Sequence, residues 1–182
     1  MSFGRKPKVL LNDEPSLYEY AIGALGRRMR TVAELKRLMR PKVEDSEYGR
    51  VLVETVIARL KEEKYLNDSQ YAATFSSLRK ENERFGKRRV ISDLKQRGVH
   101  DEVISKAVSA TYEDTNEEQL ARDFLRRKRL KKPSNEKETA RIFRAMVRAG
   151  FGSRTIFAIL KNWDVDDEVL SALEEEEPPT EQ

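Results

Sequence analysis

FGKRRVISDLKQRGVHDEVISKA, residues 85–107, and FGSRTIFAILKNWDVDDEVLSAL, residues 151–173, are one 23-residue pattern written twice, with 10 identities and no gap. A chain that copies a helix–turn–helix segment within itself is a repeat protein, and repeats commonly build binding surfaces. The copied positions have separable physical jobs. Phe85-Gly86 and Phe151-Gly152 end one helix and open the next. Val90, Ile91 and Leu94, matched by Ile156, Phe157 and Leu160, recur at the spacing of one helix face. Val99 and Val165 lead into Asp101-Glu102 and Asp167-Glu168, whose carboxylates favour the positive end of a following helix. That helix then buries Val103, Ile104 and Ala107, or Val169, Leu170 and Leu173.

Working outward, helix signals recur along the whole chain and strand signals do not. Ser16–Glu19, Thr31–Glu34 and Thr115–Glu118 each have the capping-box form, in which a hydroxyl and a carboxylate satisfy orphan amide donors reciprocally. Leu17, Ala21, Ala24 and Leu25 form one apolar stripe; Val53, Val56, Ile57 and Leu60 a second; Tyr71, Phe75 and Leu78 a third. Pro41, Gly98, Pro133 and Gly150 stand where helices should stop or links begin. The spacing predicts nine helices in three triplets, at about 16–29, 31–40 and 46–63; 68–83, 87–97 and 101–112; and 116–130, 136–149 and 153–162, with a tenth near 166–176. The expected fold class is all-α, an elongated tandem array of three-helix repeats. Its divisions are a flexible segment 1–15, repeats at 16–66, 67–114 and 115–163, and a further helix with an acidic tail at 164–182. A second register also exists. Residues 144–160 resemble residues 93–108 through a basic-small-Gly-apolar turn, and in that register the chain ends in a partial fourth unit.

Composition narrows the class. The apolar share is 38% and the charged share 37%, against about 25% charged in ordinary domains; thin helical arrays, whose layers each bury little, have that balance. No run approaches the roughly 18 apolar residues of a membrane span, and no signal-peptide pattern opens the chain, so a cytoplasmic protein with no membrane partner is expected. With no cysteine, disulfides and thiolate metal sites are excluded. His100, the single histidine, falls in an expected turn beside Asp101, where capping or exposure explains it, and no second imidazole can join it in metal or acid–base work. Neither a P-loop nor a G-x-G-x-x-G fingerprint is present. Asp166-Asp167 and Glu174–Glu177 could hold a hard cation weakly, but a helix N-terminus and a solvated tail explain them more simply. No enzyme, cofactor or metal is expected.

The net charge of +4 conceals strong segregation. Residues 84–100 carry 6 basic against 1 acidic side chain, and residues 101–119 carry 1 against 6. Residues 120–148 carry 11 against 3, and residues 149–182 carry 2 against 9. Single blocks of this kind are usually solvated faces. Their alternation through the repeats suggests a partner carrying both signs, such as a protein wrapped on nucleic acid.

YAIGALGRRMRTVAELKRLM (20–39), KYLNDSQYAATF (64–75), FGKRRVISDLKQRGV (85–99), LARDFLRRK (120–128) and FRAMVRAGF (143–151) together resemble the RecX family of bacterial recombinase regulators. The resemblance covers about residues 17–162 in the family's order and spacing. Lys64 stands where the family has a turn glycine, and Asn67 replaces the first Asp of that turn. The segment from 163 onward lies outside the resemblance, and Trp163 either packs under the terminal helix or anchors a partner. The resemblance implies tandem three-helix repeats that bind within the helical groove of a RecA filament on single-stranded DNA. It implies inhibition of ATPase, strand exchange and co-protease activity.

The candidate partner- or DNA-binding residues are the basic clusters. Arg27, Arg28 and Arg30 form the first; Arg84, Lys87, Arg88 and Arg89 the second; Arg126, Arg127, Lys128, Arg129, Lys131 and Lys132 the third and densest. Arg144 and Arg148 lie four apart on one helix face. Arginine's planar fork holds carboxylate or phosphate in two bonds, and lysine acts as a mobile point charge. Intramolecular pairing is the competing explanation, and the third cluster has few acids near it in sequence. Tyr65, Tyr71, Phe75, Phe124 and Phe143 fall on apolar stripes and are expected in the core, with Phe85 and Phe151 stapling units together at the turns. The expected partner is a RecA recombinase filament, with single- or double-stranded DNA as a further partner, and the protein is expected to be a monomer. The alternative is a helical module acting by direct DNA binding, since TVAELKRLM resembles the first helix of a helix-turn-helix; no clean set of base-reading side chains accompanies it.

Overall fold

The computed structural model of the chain describes residues 10–176, and among these residues the regular structure is helical, with no strand. The helices are α1 (Glu14–Arg27), α2 (Val32–Met39), α3 (Glu47–Glu62), α4 (Asp68–Leu78), α5 (Lys87–Gln96), α6 (Asp101–Tyr112), α7 (Glu117–Arg127), α8 (Glu136–Arg148), α9 (Ser153–Lys161) and α10 (Asp167–Glu176). A 3₁₀ turn, Arg40–Lys42, follows α2, and a π turn, Arg79–Glu83, follows α4. The fold is therefore an all-helical array of three-helix repeats, α1–α3, α4–α6 and α7–α9, with α10 added. Of the segments expected to be unanchored, residues 1–9 and 177–182 lie outside the described residues. Leu11 N–H donates to the Lys42 carbonyl at 2.7 Å, and Asn12 Oδ1 accepts from Glu44 N–H at 3.2 Å.

Capping explains the helix starts, and two of the three expected boxes are corrected. α1 begins two residues early because Asp13 accepts from Ser16 N–H at 2.9 Å, while Pro15 occupies the first turn, where its missing donor costs nothing. Those hydrogen bonds hold the Asp13 carboxyl below the usual carboxylate range. α7 is capped by Asn116, which accepts from Gln119 N–H at 2.9 Å, and not by Thr115. The Thr115 hydroxyl is buried without a partner among the described residues. Thr31 does form the full box: its hydroxyl accepts from Glu34 N–H at 3.0 Å and Glu34 Oε2 accepts from Thr31 N–H at 3.3 Å.

The helix ends after α3, the π turn, α5, α7, α8 and α9 share one feature. Lys64, Arg84, Gly98, Arg129, Gly150 and Asp164 all have positive φ, between 55° and 89°. At four of them the next amide closes back five residues: Tyr65 to Leu60, Leu130 to Leu125, Phe151 to Met146 and Val165 to Leu160, at 2.9–3.2 Å. This is the left-handed closure that turns a helix sharply. It also resolves the two sequence registers. Gly98 and Gly150 occupy equivalent corners of α5–α6 and α8–α9, which is the register of the repeats; Gly98 and Asp164 occupy equivalent corners of α5–α6 and α9–α10, which is the register of the 23-residue match. The corner of a repeat's second helix pair is thus reproduced at α9–α10, which shares α9 with the third repeat.

Contacts divide the described residues into two compact units, those up to Ala72 with Lys95–Val103, and Ala73–Leu94 with those from Ile104 onward, a division that runs through α4, α5 and α6. The core of the first includes Leu17, Ala21, Leu35, Met39, Val56 and Leu60. Here α2 is tied down by polar groups distant in sequence. The Thr31 hydroxyl donates to the Arg97 carbonyl at 2.7 Å, Arg97 Nη1 meets Glu34 at 2.7 Å, and Asp68 accepts from Val32 N–H at 2.9 Å.

The core of the second unit is built from Leu120, Phe124, Ile142, Phe143, Met146, Phe151, Ile156, Leu160, Leu170 and Leu173, with Trp163 half-buried against it. Its tightest point is a backbone crossing. Gly86 N–H donates to the Ala149 carbonyl at 2.8 Å, and a Cβ on Gly86 would lie 2.3 Å from the Gly150 carbonyl oxygen. Phe124 packs between Phe85 and Phe151, with ring centroids at 6.5 and 5.6 Å, and the Tyr112 hydroxyl donates to the Phe85 carbonyl at 2.8 Å. Burial pushes the Tyr112 ionisation far above the ordinary tyrosine range.

Most expected core aromatics are in place: Tyr71, Phe124 and Phe143 are buried, and Phe75 is half-buried under the Arg79 guanidinium. Tyr65 is not. It is 60% exposed, because it is the residue that closes the left-handed corner after α3, and Leu66, at 3%, takes the core position. Leu78 is likewise 50% exposed at the end of α4, just before the π turn.

Candidate nucleic-acid and partner interface

The basic candidates separate by unit. In the first, Arg27 and Arg28 are exposed at the end of α1, while Arg30 is half-buried and spends its Nε–H on the Ala24 carbonyl at 3.3 Å, closing the helix end. The other twelve lie in the second unit. Lys87 and Arg88, exposed at the start of α5, edge a cleft of about 350 Å³ with Tyr112, Thr115 and Glu117. Glu117 in turn accepts from Gly152 N–H at 3.2 Å and the Thr155 hydroxyl at 2.6 Å, so the cleft wall is fixed.

The third cluster is more neutralised than its sequence neighbourhood suggests. Arg126 pairs with Asp123 at 3.1 Å, Arg127 with Glu83 at 3.4 Å and Lys132 with Asp164 at 2.6 Å. Two of these acids come from 44 and 32 residues away, which no local count of charge reveals. The hydrogen bond from Lys132 holds the Asp164 carboxyl below the usual carboxylate range. Such exposed pairs contribute about 0–1 kcal/mol each, so an incoming carboxylate or phosphate can replace the internal partner at little cost. Arg84, in the left-handed corner after the π turn, shares a mixed-charge cleft with Asp123, Arg126 and Arg127.

Folding also gathers residues that the sequence scatters. Arg89 from α5, Lys128 at the end of α7 and Arg148 at the end of α8 edge one notch of about 470 Å³, floored by Phe85, Phe124 and Leu130. Arg89 is oriented by Asp93, 3.0 Å away, and lies 5.8 Å from the centre of the Phe85 ring.

Lys137 and Arg141, which a search for sequence clusters passes over, join Arg144 and Arg148 along a second depression on α8. All four are exposed, while Thr139, Ile142, Phe143 and Met146 on the opposite face are buried. The signal for them was the i, i+4, i+7, i+11 spacing, a helix stripe instead of a run. His100 is exposed in the α5–α6 turn, and among the described residues no group of acids and histidines is arranged to hold a metal ion. No described helix is long and apolar enough to cross a membrane.

Known proteins share this arrangement. The family model for the second three-helix domain of RecX matches residues 67–108, the span of α4–α6. The regulatory protein RecX of Deinococcus radiodurans is 33% identical over 160 residues, covering 86% of this chain and 72% of that protein. The chain belongs to the RecX family of regulatory proteins. The RecX of Bacillus subtilis is 27% identical over 152 residues, which are 83% of this chain but 56% of the longer relative. The crystal structure of RecX from Lactobacillus salivarius superposes with a TM-score of 0.64 at 19% identity, over 84% of this chain and 97% of that one, and shows the common fold. Lys64 has φ of 62°, so the corner where the RecX resemblance places glycine keeps its left-handed geometry here with a lysine.

Proposed function

We propose that this RecX-family chain regulates recombination in the cytoplasm by binding the RecA filament on single-stranded DNA, lying in its groove and inhibiting ATP hydrolysis, strand exchange and co-protease activity. Family membership carries the reading, since the relatives are named regulatory proteins. The basic surfaces supply the chemistry. A filament offers carboxylates and phosphates at regular intervals, and the repeats offer arginine-rich edges at intervals of their own. Linked weak contacts raise one another's effective concentration, so a modular inhibitor binds more tightly than any one of its surfaces. Division of the chain into working repeats at 16–66, 67–114 and 115–163, and its action as a monomer, belong to the same reading.

The deciding experiment is ATP hydrolysis by the cognate recombinase on preformed single-stranded-DNA filaments, titrated with this protein over a range of salt. Loss of hydrolysis at salt where the protein no longer binds bare DNA supports a filament-directed regulator. Inhibition that vanishes in step with bare-DNA binding replaces it with competition for DNA.

A further inference from the structure

We infer that the notch edged by Arg89, Lys128 and Arg148 is the seat of the chain's own acidic arm, residues 177–181. The two prolines of the arm cover the apolar floor and the glutamates beside them meet the cations of the rim. That floor is Phe85, Phe124 and Leu130, and the volume of about 470 Å³ is within the range of ligand sites. Most cations nearby are already engaged: Arg126, Arg127 and Lys132 pair with acids within the chain, and Arg89 is oriented by Asp93. Lys128 and Arg148 differ. Both are exposed, and neither has an ion-pair partner among the described residues. An apolar recess with two such cations on its rim suits an occupant that carries rings and carboxylates together.

The sequence past α10 is of that kind. Glu177-Pro178-Pro179-Thr180-Glu181 places two rigid rings between two carboxylates and contains no base. Proline-rich segments dock against aromatic-lined recesses because their extended form is largely set before binding, so little entropy is lost. α10 also brings the arm to the right end of α8. Lys132, just before α8, pairs at 2.6 Å with Asp164 in the corner before α10, so α10 sets out from the beginning of α8. Leu170 and Leu173 then enter the core that holds Ile142, Phe143 and Met146, and α10 packs on both α8 and α9. Its course therefore leads along α8 toward Arg148, which edges the notch. The prolines are two and three residues past Glu176, about 7–10 Å of extended chain, and Glu181 is about 17 Å past it. α8 is about 20 Å long at 1.5 Å per residue, so an arm that starts beside its second half spans the remainder. All the described residues involved lie in the second compact unit. A short tether holds the arm at an effective concentration on the order of millimolar, so weak contacts suffice to seat it. Seated there, the arm is a strap that any partner of Lys128 and Arg148 has first to displace.

The strap goes beyond the filament reading and is tested on the full-length protein alone, without recombinase or DNA. A zero-length carbodiimide couples a lysine amine to a carboxylate where the two meet, and mass spectrometry maps the joins. Lys132 with Asp164, at 2.6 Å, is the positive control within the same chain. Lys128 is expected to couple to Glu177 or Glu181 about tenfold more than the exposed Lys131 and Lys137 do, the excess of a docked arm over a merely tethered one. In the double variant Pro178→Ser/Pro179→Ser, which leaves the described core untouched, that coupling is expected to fall about tenfold at an unchanged thermal midpoint. Equal coupling at Lys128, Lys131 and Lys137, or none at Lys128 while the control couples, overturns the seat at the notch. Coupling undiminished in the double variant overturns the prolines as what the floor holds. Coupling between copies, detected by mixing isotopically heavy and light protein, overturns the strap in favour of a second copy as the occupant. None of these results alters the filament assay above, so the two readings fail separately.

Discussion

Gly86→Ala should destabilise the second unit far more than one methyl group ordinarily does. Gly86 is buried and does not have positive φ, so alanine suits its backbone; the obstacle is space. The new Cβ would sit 2.3 Å from the Gly150 carbonyl oxygen, 2.5 Å from its carbon and 2.9 Å from Phe151 N, all backbone atoms. Gly150 cannot retreat, because its own Cβ direction points at Arg89 N only 2.2 Å away. The crossing must open by about 1 Å, at an overpacking cost of about 1–3 kcal/mol. Opening also stretches the Gly86–Ala149 hydrogen bond, now 2.8 Å, for about 1 kcal/mol more. The sum is about 2–4 kcal/mol, or a fall in thermal midpoint of about 4–16 °C for a chain of this size. Trp163 is the single tryptophan and is half-buried against this unit's core, so its fluorescence during urea or thermal unfolding reports the right region. Gly23→Ala is the matched control. Nothing lies within 4 Å of its Cβ position in α1, and the variant should gain about 0.5–1 kcal/mol from helix propensity. If the Gly86→Ala unfolding curve overlays the parent's, the crossing is not the constraint described here.

Three further outcomes follow from the same geometry. Lys64→Gly, which restores the glycine of the RecX-type turn at a φ of 62°, should raise stability by about 0.5–1 kcal/mol in urea melts, since a side chain in the left-handed region is costly. Thr31→Ala, removing a fully buried hydroxyl that caps α2 and bonds the Arg97 carbonyl, should cost about 2 kcal/mol, with Thr31→Ser recovering most of it. Asp164 has its folded pKa lowered by Lys132, so its contribution is present above the unfolded value, near 3.9, and is lost as pH falls through the lower folded value. Asp164→Asn tolerates the left-handed corner and should melt below the parent at neutral pH, with the difference vanishing in strong acid, as measured by thermal midpoints across pH.

The helices were legible because their determinants are local: stripes such as Val53, Val56, Ile57 and Leu60 repeat within one helix, and Thr31 caps a helix three residues away. The register was harder. The 23-residue match is the stronger sequence signal, yet it joins corners of different rank in the array, because a helix–turn–helix corner looks alike wherever it is used. Tyr65 misled for a related reason, since a residue next to a left-handed corner no longer follows the stripe of its helix. At the candidate interface the residue types were readable and their company was not. Arg127 meets Glu83 and Lys132 meets Asp164 across 44 and 32 residues, distances over which periodicity carries no information. The notch combines α5, α7 and α8, so no single stretch could announce it. Half of the row on α8, Arg144 and Arg148, is legible from its i, i+4 spacing; Lys137 and Arg141 continue the same helical face but belong to no run of basic residues.

The left-handed corners bear on how such a protein grows. Each is specified by the few residues that end one helix, and four of the six use lysine, arginine or aspartate in place of glycine. The instruction for the bend therefore travels with whatever segment is copied and does not depend on one residue surviving. A duplicated stretch arrives already knowing the angle at which to leave its last helix, and the corner between α9 and α10 repeats the bend between α5 and α6 with an aspartate where the earlier copy has glycine.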